Sequence, residues 1–168
     1  SVPQGAMSEQ RYEYDGPFKN LHEIVHAARM NLAQGPWDYM MGGSETETTL
    51  RRNRLALDTI AMRPRVLRDV THVDVSTEAF GRKWRLPVFT APVGAQEMFV
   101  PGGAEPCVRG ATGFGAGHML SSVCEPGMEG VAKAAPDGIR LYQLYVRRDR
   151  KWMDEQVRMA KDLGYLGF

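Results

Sequence analysis

Between Val88 and Val146 the hydrophobic positions fall into three short runs: VFTAPVGAQ (Val88 to Gln96), HMLSS (His118 to Ser122) and IRLYQLYV (Ile139 to Val146). Each run ends in small or hydrogen-bonding residues, and stretches of helical period separate them. Helices are predicted over 103–115, 126–135 and 151–163. Strands that alternate with helical patterns of about 10–15 residues predict βαβ units around a parallel sheet. Sheets and barrels of this kind gather ligands at the carboxyl ends of their strands. The residues expected there are Pro92, Val93 and Gly94 after the first run, Ser121 and Ser122 after the second, and Gln143 and Tyr145 in the third. Small residues let a flat ligand lie against the backbone, while an amide, a hydroxyl and a phenol offer fixed hydrogen bonds at its edge. An aromatic heterocycle such as a flavin suits that lining.

Upstream the period is helical. Leu21, Ile24, Val25, Ala28 and Leu32 share one face of a helix predicted over 21–33 and broken by Gly35-Pro36. A short second helix follows, with Pro36 in its first turn, Trp37, Tyr39 and Met40 as its bulky residues, and Gly42 and Gly43 at its end. Ser44 as N-cap with Glu47 three residues on predicts a capping box for a third helix over 45–60. Residues 64–80 read as extended chain with β-branched positions, followed by a turn at Phe80-Gly81-Arg82-Lys83. Irregular strands of that kind plug one end of a barrel. The organisation expected is a tag-like or disordered lead-in over 1–20, a helical preamble with plug strands over 21–87, and three β/α units with the start of a fourth strand over 88–168.

Length limits how much of a barrel fits. A complete eightfold α/β barrel takes on the order of 250 residues, and the chain has 168. It holds about half, and YLGF (Tyr165 to Phe168), after an amphipathic helix, reads as the onset of another buried strand. A longer polypeptide, cut or only partly represented, is the expectation. The opening SVPQGAM is neither a signal peptide nor periodic, and Met7 is the expected initiator behind a leftover tag.

With 43% hydrophobic and 24% charged residues and a net charge of +1, the composition is that of an ordinary globular protein and gives no electrostatic case for nucleic acid. The basic clusters at Arg51 to Arg54 and Arg147 to Lys151 sit in helix-like segments and read as solvated faces. No apolar stretch reaches the roughly 18 residues of a membrane-crossing helix. Cys107 and Cys124 lack metal-ligand spacing, so reduced thiols in a cytoplasmic protein are expected, with no metal.

The segment GGSETETTLRRNRLALDTIAMRPRVLRDV (Gly42 to Val70), followed in order by LPVFTAPVG, LSS and YQLYVRRDR, resembles the FMN-dependent α-hydroxy-acid oxidase and dehydrogenase family, to which glycolate oxidase, lactate oxidase and mandelate dehydrogenase belong. The resemblance runs from about Leu21 onward. It implies an α/β fold, the N-terminal part of a (β/α)8 TIM barrel with a helical preamble, incomplete in this chain. It also implies FMN as cofactor, a 2-hydroxy acid as substrate, and a homo-oligomer, a tetramer in the family pattern. Carried across, Pro92, Val93 and Gly94 would run beside the flavin ring, with the Gly94 backbone near its reactive nitrogen. Ser121 and Gln143 would bond its polar edge. Tyr39 matches the preamble tyrosine for the substrate carboxylate, and Tyr145 the catalytic one that contacts the substrate hydroxyl or carboxylate.

Several positions depart from the family pattern. Thr and Ala are common where this chain has Val93 and Gly94, and an aromatic residue often follows the paired serines where this chain has Val123. Val123 implies a roomier substrate pocket, and Gly94 more space beside the ring. Val100 and Ala104 replace a family histidine and glutamate away from the chemistry. The family's base, its carboxylate-binding arginines, its flavin-side lysine and its phosphate loops all follow the start of the fourth strand. His118 begins a strand, at the stability end of a barrel, and is not the base; His22, His26 and His72 belong to the preamble and plug. Two other readings stay open: a non-catalytic or partner-dependent half-barrel, and another FMN barrel enzyme such as a type 2 isopentenyl-diphosphate isomerase.

Overall fold

The computed structural model describes residues 16–168, so most of the predicted lead-in, Met7 included, lies outside them. The chain divides into two compact units, Ser1–His72 and Val73–Phe168.

In the first unit, α1 (Leu21–Asn31) is capped by Asn20, whose side chain accepts the Glu23 N–H at 3.1 Å. It ends at Asn31, before Gly35-Pro36, because Leu32 and Ala33 are extended and Ala33 already caps α2 (Gln34–Met41). Gly35 and Pro36 therefore form the first turn of α2 and do not break α1. The predicted apolar face of α1 is exposed over its first half, where Leu21 is 77% exposed and Ile24 and Val25 are exposed as well, and half-buried at Ala28 and Leu32. Ala27, beside that face, is the buried residue of the helix.

The capping box at Ser44 does not form. Glu45 and Glu47 both hold left-handed backbone, with φ of 53° and 57°, outside the right-handed helical region, so Glu47 becomes the N-cap and α3 spans Thr48–Asp58. The Glu47 carboxylate instead turns back to accept the Gly43 N–H at 3.1 Å, and the Glu47 N–H goes to the carbonyl of Ser44.

The second unit opens with irregular chain where an extended stretch was expected; pairing is confined to β1 (Thr77–Ala79) and β2 (Arg82–Trp84). These form an antiparallel hairpin in which Thr77 faces Trp84 and Ala79 faces Arg82. The turn is shorter than the predicted four residues: Phe80 and Gly81 make it alone, both at positive φ, as a tight two-residue hairpin requires. Three parallel strands follow, β3 (Phe89–Thr90), β4 (Gly117–Ser121) and β5 (Ile139–Gln143), in that spatial order. The helices between and after them are α4 (Glu105–Phe114), α5 (Gly127–Ala134) and α6 (Arg150–Asp162). Two predicted strands are shorter than their apolar runs. β3 stops before Pro92, which has no N–H to give a ladder, and Gln96–Met98 is a 3-10 turn. β5 stops at Gln143, two residues before Tyr145.

Alternation along the strands separates two faces of the sheet. Leu120 and Tyr142, paired across β4 and β5, lie in the core with Val108 of α4, Met128 and Val131 of α5 and Ala160 of α6. His118 and Arg140, paired two residues earlier, share that helix-side face. Gly117, Met119, Ser121, Leu141 and Gln143 occupy the opposite face. After α6 the chain returns beside β5: Leu166 donates to the Arg140 carbonyl at 2.9 Å, and Tyr142 donates to that of Gly167 at 3.0 Å, as a neighbouring strand would require. Tyr165 anchors this return, its buried hydroxyl donating to the Met128 carbonyl.

Arg140 is buried, yet its guanidinium is not paired with a carboxylate. It donates to the carbonyls of Ala135 and Pro136, where α5 ends, and of Leu163, where α6 ends. Helix C-termini leave such carbonyls without intrahelical partners and attract positive charge. One side chain thus ties the first half of β5 to two helix ends.

The hairpin and the sheet meet at Gly117. A Cβ there would lie 2.8 Å from the Trp84 ring and 3.1 Å from the Phe89 Cβ. Gly117→Ala is expected to destabilise the fold by about 1–3 kcal/mol through overpacking, read as a lowered denaturation midpoint with an unchanged slope. His118 gives a pH signature. Its Nδ1 is 2.6 Å from Thr90 Oγ1, its Nε2 is buried without a partner, and burial lowers its pKa below the usual histidine range. The unfolded chain therefore binds the proton more readily, so stability is full at neutral pH and declines as pH falls through that range. In His118→Gln, denaturation midpoints between neutral and mildly acidic pH should decline less steeply than in the parent; equal slopes would rule out this assignment.

Candidate functional site

Parallel register places Ser121 directly opposite Gln143 at the carboxyl ends of β4 and β5. The Ser121 hydroxyl donates to Gln143 Oε1 at 2.9 Å and accepts the Val123 N–H at 3.3 Å. Because Oε1 is engaged, the Gln143 amide is oriented with its Nε2 donors available. Beside the pair, the Ser122 hydroxyl is buried without a partner.

The loop after β3 lies against the loop after β4. The Ala95 N–H donates to the Val123 carbonyl at 2.8 Å, and Ala95 takes left-handed backbone, φ 52°, to do so. Gly94 is the point of closest approach. A Cβ on it would come within 2.8 Å of Val123 Cγ2 and 3.7 Å of Ser121 Oγ. Any side chain at this position would have to displace that Val123 methyl group. The result is a bare strip of backbone next to an oriented hydroxyl and amide. Such a surface matches a planar heterocycle with a polar edge: the ring can lie on the strip while Gln143 meets its edge.

Of the residues expected from sequence, the structure brings together Gly94, Ser121, Val123 and Gln143, with Pro92 and Val93 leading into the strip. Val123 and Val93 are exposed. Tyr145 follows the same strand end, half exposed, with the Arg147 guanidinium 5.4 Å from its ring centre. Tyr39 stands exposed on α2 of the other unit. His118 lies on the helix-side face of β4, away from Ser121. Both cysteines are free; burial raises the thiol pKa of each, and at Cys124 the N–H groups of Gln96 and Ala104 oppose that rise. Among the described residues no cluster could hold a metal, and no helix is long and apolar enough to cross a membrane. An open cleft of about 600 Å³ beside Asp74, Lys83, Trp84 and Arg85 is at the opposite end of the strands.

Sequence reasoning gave no part to Gln96 or Arg140. Gln96 closes the first apolar run yet is buried; an amide inside an apolar segment was the available signal. Arg140 is likewise a lone charge within IRLYQ.

Residues 28–168 match the family described as FMN-dependent dehydrogenase. The chain is 38% identical to glycolate oxidase 1 of Zea mays over 150 residues, 89% of this chain and 40% of that protein. It is 38% identical to glycolate oxidase of Spinacia oleracea over 146 residues, 87% and 39% of the two. A mandelate oxidase structure with benzoyl-formic acid superposes with a TM-score of 0.82 at 35% identity, covering 89% of this chain and 44% of the other. The chain therefore spans about two fifths of the length of these relatives, and its strands and helices are part of a (β/α)8 barrel.

The Gly94–Val123 contact makes a prediction of its own. Gly94→Ala should destabilise by about 1–3 kcal/mol, and adding Val123→Ala should recover most of that loss. Additive effects in a denaturation double-mutant cycle would refute the contact.

Proposed function

This chain belongs to the FMN-dependent dehydrogenase family, and from that membership we propose that it supplies the flavin-ring side and part of the substrate site of an enzyme oxidising a 2-hydroxy acid to a 2-oxo acid. The observation that carries the reading is the bonded pair Ser121 and Gln143 beside the bare strip at Gly94. Relatives named glycolate oxidase and mandelate oxidase act within that substrate class.

The chain's own residues do the following. Pro92, Val93 and Gly94 would hold the ring, with close approach possible because Gly94 carries no side chain. Ser121 orients the Gln143 amide, and Gln143 donates to the ring's polar edge. FMN, when bound, accepts the two electrons of the oxidation. The Tyr145 hydroxyl donates a hydrogen bond to the substrate oxygen, stabilising negative charge that develops as the proton leaves. Tyr39 takes the substrate carboxylate, an assignment supported by the family match. Val123, smaller than an aromatic residue, leaves room for a substrate bulkier than glycolate. A reducing, cytoplasmic compartment fits the free Cys107 and Cys124 thiols, and a homo-oligomer is proposed from the family resemblance alone.

The test is an anaerobic visible spectrum of the holoenzyme before and after addition of a panel of 2-hydroxy acids. The flavin band should bleach with at least one of them, and a bulky aromatic hydroxy acid should outperform glycolate. Absence of flavin, or a flavin that no hydroxy acid reduces, would overturn the reading. Tyr145→Phe should retain bound flavin but reduce it about 100-fold more slowly, the scale of a lost oxyanion donor; unchanged reduction kinetics would remove Tyr145 from the chemistry.

A further inference from the structure

We infer that Gln96 is a positioning residue that aims the Gly94 N–H at the flavin. The inference rests on the proposed function above for the identity of the ligand, and on the loop geometry for everything else.

Gln96 is 7% exposed. Its Nε2 donates to the Val93 carbonyl at 3.2 Å. A carbonyl accepts only from a donor, which fixes which end of the amide faces it. Nothing satisfies the other end: Gln96 Oε1 is buried without a hydrogen-bond partner. Burying an amide half satisfied is costly, so packing alone would favour an apolar residue here. What the amide provides is a grip on one carbonyl.

That carbonyl belongs to the peptide unit joining Val93 to Gly94. The unit is planar, and in the trans form its C=O and N–H point in opposite directions. Holding the Val93 oxygen from one side therefore sets the direction of the Gly94 N–H on the other. The next peptide unit, from Gly94 to Ala95, is held at its N–H end by the Val123 carbonyl. Both units flanking the Gly94 Cα are thus anchored, each by the group that does not belong to Gly94. The Gly94 N–H and C=O themselves have no protein partner among the described residues. Glycine has the widest backbone freedom of any residue, so without these two anchors the N–H would be free to swing.

The consequence is division of labour. Gly94 supplies a close, bare approach and an unpaired donor, Val123 fixes the strip on its downstream side, and Gln96 fixes it upstream. The Gln96 side chain acts on the ligand through the peptide and need not touch it.

Gln96→Met keeps length and removes the donor. In the holoenzyme it should shift the flavin absorption band and midpoint potential and slow flavin reduction by a 2-hydroxy acid about tenfold or more, with substrate KM changed less than twofold. Gln96→Glu supplies the readout that packing cannot mimic. A protonated carboxyl can donate to the Val93 carbonyl, whereas an ionised one cannot, and burial raises the pH at which the switch occurs. Its flavin spectrum should match the parent at low pH and depart from it as pH rises, while the parent spectrum stays constant over the same range.

A Gln96→Met holoenzyme with the parent spectrum, potential and reduction rate would overturn the inference. So would a Gln96→Glu spectrum that does not change with pH, and that profile decides alone if the Met variant does not fold. Failure of the functional reading looks different: a parent whose bound flavin no hydroxy acid bleaches, yet whose flavin spectrum still depends on Gln96.

Discussion

The parallel register that sets Ser121 opposite Gln143 is the constraint on which the rest of the structure depends. Side chains alternate along a strand, so a slip of one residue between β4 and β5 would send one member of the pair to the helix-side face. The hydrophobic pair Leu120 and Tyr142 resists such a slip by its burial. Arg140 adds a polar lock. Its guanidinium can reach the carbonyls of Ala135, Pro136 and Leu163 together only when β5 is in place between the ends of α5 and α6. A buried cation with no alternative partner is costly to displace, so an arginine far from the candidate site helps to keep that site's hydrogen bond in being.

Above the strand ends, the site consists of loops that hold one another. The loop after β3 is bonded to the loop after β4 through Ala95 and Val123, and again where the Glu125 N–H donates to the Glu97 carboxylate at 3.2 Å. The Ala104 N–H, at the start of α4, goes to the Glu125 carbonyl. These contacts fix the loop backbone, as a scaffold does when it presents a surface to a ligand, while the Gln96 and Cys124 side chains are buried beneath it.

Periodicity makes much of the fold legible. Helices α4, α5 and α6 fall within one or two residues of their predicted bounds, and β4 and β5 begin within a residue of theirs, because in each case the buried face is covered by another element of the same unit. The pattern misleads where local conformation or missing cover decides. Ser44 and Glu47 have the spacing of a capping box, yet left-handed backbone at Glu45 and Glu47 diverts the chain. The first apolar run includes a proline that ends the ladder after Thr90. Ser121, Gln143 and Gly94 are readable as strand-end residues with chemistry or small size. Gln96 and Arg140 are not, because each acts on carbonyls contributed by residues that no spacing in the sequence marks as neighbours.

The bonds from Ala95 to Val123 and from Ala104 to Glu125 also carry information about the order of folding. The loop at 92–96 has local bonds, such as that from Gln96 Nε2 to the Val93 carbonyl, but its long-range backbone partner, Val123, lies some thirty residues further on. Closing a loop of that length costs conformational entropy, so the Ala95–Val123 anchor of the strip forms only once β4 and the loop after it are in place. The strip at Gly94 therefore lacks its long-range anchor in a chain emerging residue by residue until β4 and the loop that follows it have arrived.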